Sequence, residues 1–170
     1  MSGRGRHTDD CRSVACGFTL VEVVLVVVIA MILGSLTVPR MRPMLGNLRM
    51  TSAVDNIRKR LVTARIRAIA NPEAHCGVFF DVADGSLLLF FDDNTRNHRY
   101  DAGVDEVYQG VWKLPQGVVF SSQGTTLVDN AILFRGDGSA RHGGSITLVN
   151  EFQHQRTIDV LAATGRIRVQ

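Results

Sequence analysis

Glu22 is the only ionisable residue between Phe18 and Val38. A charged side chain in hydrocarbon costs roughly 2.5–3.5 kcal/mol on insertion scales, so a carboxylate placed there is expected to answer a cation. At the other end of the chain, Arg166 and Arg168 stand two positions apart. On a strand, residues at that spacing share a face, and two guanidinium groups could hold two phosphates. Arg135, Arg141, His142 and Arg156 would extend such a patch if the strands converge. Asp92-Asp93-Asn94, with Asp101, Asp105 and Glu106, offers the oxygens a calcium ion takes, although a solvated acidic loop is the simpler expectation.

Catalytic chemistry finds little to stand on. His7, His75, His98, His142 and His154 are scattered, with no pair at a recognisable metal spacing. Cys76 beside His75 reads as one buried thiol at the start of a strand. Ser-Gly and Gly-Ser dipeptides occur without a nucleophile elbow. The expectation is a non-enzyme with no cofactor and no metal.

The elements that must position these residues fall into two halves. Phe18 to Val38 is a 21-residue apolar segment; at about 1.5 Å per residue it would span roughly 30 Å of hydrocarbon. Pro39 and Pro43 predict a kink or local melting. From Met44 a helical period resumes, with Leu45, Leu48, Val54, Ile57, Leu61, Ala64 and Ala68 on one face. Arg49, Arg58, Lys59, Arg60, Arg65 and Arg67 occupy much of the rest. That basic face is expected to be solvated or to meet acidic neighbours rather than nucleic acid. Asn71-Pro72 should end the helix.

Beyond it the pattern turns to short strands: 76–81 and 86–91 about an Ala83-Asp84-Gly85 turn, then 107–114, 118–122, 131–134, 145–150, 157–161 and 166–169. A long helix followed only by strands predicts an α+β fold, its second half covering an antiparallel β-sheet head. The boundaries are 1–17, 18–38, 39–70 and 71–170. The net charge of +3 decides nothing, but its distribution is uneven. Positions 40–67 carry eight basic residues and one acidic, whereas 73–129 carry nine acidic and three basic, which suits stacking of copies through complementary surfaces.

The leader Met1–Gly17 holds Arg4, Arg6, His7, Asp9, Asp10 and Arg12 and has no apolar core. An ordinary signal peptide is cut after its apolar stretch, and the Gly17–Phe18 junction lies before it. A lipoprotein signal at Ser13-Val14-Ala15-Cys16 fails for the same reason. Gly17-Phe18-Thr19-Leu20-Val21-Glu22 instead resembles the class III signal of type IV pilins and type II secretion pseudopilins. The carboxyl half is similar to the GspH/FimT group of minor pseudopilins. The matching segments are Ile132-Leu133-Phe134-Arg135-Gly136-Asp137-Gly138, Ile146-Thr147-Leu148, Thr157-Ile158-Asp159-Val160 and Thr164-Gly165-Arg166-Ile167-Arg168-Val169.

This resemblance implies cleavage after Gly17 by a prepilin peptidase and N-methylation of Phe18. It also implies pairing of Glu22 with the amino terminus of an adjacent subunit during assembly. The implied partners are other pseudopilins or pilins, an inner-membrane assembly platform and the lipid bilayer. The implied location is a bacterial inner membrane, crossed once, with a cytoplasmic amino terminus and a periplasmic head. FimT-like members add an alternative, DNA uptake through the Gly165-Arg166-Ile167-Arg168 strand. Cleavage would remove Cys11 and Cys16, leaving Cys76 without an intramolecular partner.

Overall fold

The computed structural model describes residues 18–92 and 97–170, with the side chains of all of these except 36–41. It divides into two units, Met1–Arg40 and Met41–Gln170. Its elements are α1 (Leu20–Ala70), β1 (His75–Asp81), β2 (Ser86–Asp92), β3 (Glu106–Lys113), β4 (Val118–Phe120), β5 (Ala131–Phe134), β6 (Gly144–Asn150), β7 (Gln155–Val160) and β8 (Ile167–Val169).

In the first unit, Thr19 caps the helix. Its Oγ1 accepts the Glu22 amide at 3.2 Å, satisfying a donor that the first turn would otherwise leave open. The side chains from Leu20 to Leu33 are apolar around the whole circumference save Glu22, and the large ones are exposed. Among the described residues no helix is long and apolar enough to cross a membrane. The expected spanning first half, 18–38, is therefore not met by what is described. The side chains placed between 20 and 35 amount to about 24 Å of helix, short of the ~30 Å of hydrocarbon, and the last part of the expected span falls on positions 36–38. The helix assignment runs through Pro39 and Pro43 without a break, so the expected local melting is absent.

In the second unit, Met50, Ala53, Val54, Ile57, Leu61, Ala64 and Ala68 form the buried stripe of α1. Leu45 and Leu48, expected on this stripe, are exposed. The buried line passes through Gly46 instead, where the Phe152 ring lies so close that a Cβ would sit 2.7 Å from it. One residue on, Asn47 Oδ1 accepts Asn150 Nδ2 at 3.2 Å and lies 2.6 Å from His154 Nδ1, tying the helix to the β6–β7 turn. The helix stops at Ala70, before Asn71-Pro72 as expected.

All eight strands lie at the expected places, but they make two sheets rather than one. Both are antiparallel, ordered β3-β2-β1-β5 and β4-β6-β7-β8. Period-two alternation decides what each face of the first sheet meets. Cys76, Val78, Phe80, Leu87, Leu89, Ile132 and Phe134 face the main core, with Leu61 of the helix and Ile146, Leu148 and Ile158 of the second sheet. Phe80 meets Phe120 edge to face at 5.9 Å, joining the sheets. Leu88, Phe90, Ala131 and Leu133 face the other way, where Tyr100 of the β2–β3 loop covers them together with Phe79.

Cys76 is fully buried, and burial pushes its thiol up to about 12 despite the Arg67 charge and an amide hydrogen bond from Gly77. A thiolate is the reactive form. With Cys11 and Cys16 replaced by serine, Cys76 is expected to react with iodoacetamide at least about a hundredfold more slowly in the native protein than in urea, as followed by mass spectrometry.

Candidate functional site

Gly17 lies outside the described residues. Phe18, the first described, is 80% exposed, and Glu22 is exposed on the first turn of α1. Its placement there gives it a local role as well. Thr19-Leu20-Val21-Glu22 has the spacing of a capping box, and the Glu22 amide already bonds Thr19. A carboxylate on the first turn also complements the positive end of the helix dipole.

Near the other terminus, Arg166 and Arg168 are exposed, but only Arg168 lies within β8, the edge strand of its sheet. Arg168 pairs across the ladder with Asp159, whose Oδ2 also accepts Gln170 Nε2 at 2.9 Å. An acid opposite that arginine lowers its attraction for phosphate. The hollow that Arg168 lines with Gly143 and Asp159 includes none of the other basic residues expected in the patch. Arg156 lines a hollow with Asn47 and His154, while Arg141 and His142 line another with Arg99 and Asp129.

Gly165 has a different task. It sits at φ +59°, and its Cα lies against the carbonyl oxygen of Gly138, itself at φ +79°. Arg65 of α1 reaches into this junction. Its Nε donates to the Gly138 carbonyl at 2.9 Å and its Nη2 to the Thr164 carbonyl at 3.1 Å. Gly136 packs on Pro72, just beyond the helix end, where a Cβ would sit 2.8 Å from the proline. The turn between them is fixed by Asp137, whose Oδ1 accepts the Ser139 hydroxyl at 2.6 Å and amide at 2.8 Å. Those bonds hold its carboxyl below the usual range. The glycines of the two carboxyl-half motifs thus meet one another and the end of the helix.

No known family's sequence profile matches this chain, and no curated protein matches it in sequence. Solved structures do. Two structures of the minor pseudopilin EpsH from the type 2 secretion system of Vibrio cholerae superpose on it with TM-scores of 0.53 and 0.52. Sequence identity is 17% and 13%, over 71% and 74% of this chain and 94% of the EpsH chain in each case. The fold is GspH-like, that of a pilin head.

Within this GspH-like head the basic helix face is partly consumed by packing. Arg60 lies over the Trp112 ring at 5.8 Å and Arg67 over Tyr108 at 4.5 Å, attaching the helix to β3. With Arg65 engaged as well, and Arg49 donating to the Gln116 carbonyl at 3.4 Å, the solvated face expected from sequence is reduced to residues such as Arg58 and Lys59.

The acidic loop does not gather as a calcium site among the described residues. Asp105 Oδ2 accepts the Asp101 amide at 2.7 Å, and Asp101 accepts Asn97 Nδ2, so these carboxylates hold the loop's own backbone and side chains. Burial, then the neighbouring charges of Asp92 and Asp101, raises the Asp105 carboxyl above its ordinary range. Asp93 and Asn94 lie outside the described residues. Asp92 turns instead toward two histidines that sequence spacing leaves 23 positions apart, His75 and His98.

Proposed function

We propose that this chain is a minor pseudopilin, a non-enzymatic subunit assembled with other pseudopilins into a type II secretion pseudopilus. The observation that carries the reading is the likeness of the head to EpsH along nearly the whole EpsH chain, joined to a Gly17-Phe18-Thr19-Leu20-Val21-Glu22 junction ahead of an apolar helix. On this reading a prepilin peptidase removes Met1–Gly17 and Phe18 is methylated. The apolar part of α1 lies in the bacterial inner membrane with the head in the periplasm, and Glu22 sets the register in which subunits leave the bilayer. A bare apolar helix supports the membrane step, because a helix apolar on every side needs lipid or protein around it. The DNA-uptake alternative gains no comparable support, since Arg168 faces Asp159 and Gly165 is occupied by packing.

The test is intact mass with amino-terminal sequencing of protein purified from membranes, with and without the prepilin peptidase. Peptidase-dependent loss of residues 1–17 and a methyl group on Phe18 are expected. A leader retained in the presence of active peptidase would sink the pseudopilin reading.

A further inference from the structure

His75 and Asp92 are cross-strand partners at the open end of the β1–β2 hairpin. Residues opposite one another on an antiparallel pair place their Cβ atoms about 4.5–5.5 Å apart on one face. That face is the outer one, shared with Phe79 and Phe90, so Cys76 points the other way and takes no part. His98 arrives from the β2–β3 loop. Its backbone is left-handed, at φ +69°, its amide donates to Asp92 Oδ2 at 2.7 Å, and its ring meets the His75 ring edge to face at 5.1 Å. His98 Nδ1 stands 3.4 Å from the same Asp92 oxygen without the alignment of a hydrogen bond.

Asp92 has no exposed surface, and its Oδ1 has no hydrogen-bond partner. No lysine or arginine pairs with it among the described residues. A buried carboxylate oxygen left in that state calls for a cation. We propose that His75, Asp92 and His98 bind a divalent transition-metal ion of the zinc class, which fastens the β2–β3 loop to the first sheet.

The chemistry of the three donors selects the ion. One ligand atom from each residue lies within 4.8 Å of the other two. Zinc takes nitrogen and oxygen at about 2.0–2.2 Å in a tetrahedron, which sets ligands about 3.4 Å apart. His98 Nδ1 stands at that distance from Asp92 Oδ2, leaving Oδ1 of the same carboxylate without a partner, and the His75 donor lies within 4.8 Å of the other two. Two imidazoles and one carboxylate suit zinc and its neighbours, whereas calcium wants six to eight oxygens. The fourth position falls to water, which the partly exposed His98 side chain admits. Tyr100, two residues on, already packs on Phe79 and Phe90, so the ion would add a polar clasp to an apolar one.

The experiment uses the full chain in detergent, stripped with EDTA and titrated with zinc chloride. Wild type is expected to bind one equivalent more than the His75→Ala/His98→Ala double variant. At about a hundredfold excess over Kd, zinc should raise the thermal midpoint by roughly 5–10 °C. Amide exchange at residues 97–105 should slow with zinc and not with calcium. Asp92→Asn, which keeps the shape and the acceptor for the His98 amide, should lower affinity at least tenfold and covers the case in which the double variant folds poorly. Equal uptake by wild type and the double variant overturns the proposal, because His7, Cys11 and Cys16 remain in both. So does a Cys11→Ser/Cys16→Ser protein whose cobalt-substituted form still shows thiolate-to-metal charge transfer, or loop exchange indifferent to zinc.

Discussion

Gly165→Ala is expected to destabilise the head by about 2–5 kcal/mol. Two costs combine. A residue with a Cβ in the left-handed region loses about 1–2 kcal/mol, and Gly165 is held there at φ +59°. The new methyl group would also fall inside van der Waals contact with the Gly138 carbonyl oxygen and 3.3 Å from Arg65 Nε. Neither neighbour can give way cheaply. The oxygen is backbone and already accepts Arg65, and the turn around it is tied by the Ala140 amide to the Ala162 carbonyl at 2.9 Å. Gly138→Ala is the control. Its φ of +79° carries a similar backbone cost, but its Cβ would meet the Cδ1 of Ile69, the mobile end of a half-exposed side chain. Urea unfolding followed by Trp112 fluorescence should therefore rank Gly165→Ala well below Gly138→Ala. Equal midpoints would show that the close approach costs nothing. The comparison also bears on the DNA-uptake alternative: loss of binding in Gly165→Ala would report a lost fold, not a lost phosphate contact.

Local patterns decided what was legible. The strands announced themselves as short apolar runs between turn residues, and the helix end by Asn71-Pro72, because these signals act between residues close in sequence. Partition into two sheets did not, since it depends on β5 choosing β1 across more than fifty positions. Leu45 and Leu48 fit the apolar period as well as Met50 does. What excluded them was a tight passage of Gly46 under Phe152, a contact made more than a hundred residues away. Arg65 looked like one more surface charge, and its two carbonyl partners lie 73 and 99 positions on. The His75–Asp92 pair was within reach. Asp81 opposes Ser86 across the predicted turn, and counting six residues outward on each strand arrives at His75 opposite Asp92. His98 was not within reach, because only the folded-back loop brings it there.

Glu22→Ala is expected to abolish incorporation into filaments while leaving membrane insertion intact, and Thr19→Ala separates the two roles the first turn permits. If Glu22 matters as part of a cap, the two substitutions should do similar harm, because each removes one side of the same box. A cap is worth about 1 kcal/mol, and a carboxylate near the helix start about 0.3–1 kcal/mol. Losses of that size would fray the first turn without stopping assembly. If Glu22 matters as a charge that must find a cation in hydrocarbon, removing it eliminates a term of roughly 2.5–3.5 kcal/mol that only a correctly placed neighbouring subunit can satisfy. Thr19→Ala should then assemble nearly normally. Glu22→Gln should fail almost as completely as Glu22→Ala, since it keeps the shape and hydrogen-bonding capacity and loses only the charge. The readouts are the amounts of this chain in sheared filaments and in the washed inner-membrane fraction. Comparable filament levels for Glu22→Gln and wild type would reduce Glu22 to a residue of the helix terminus and remove the charge-pairing step from the proposed assembly.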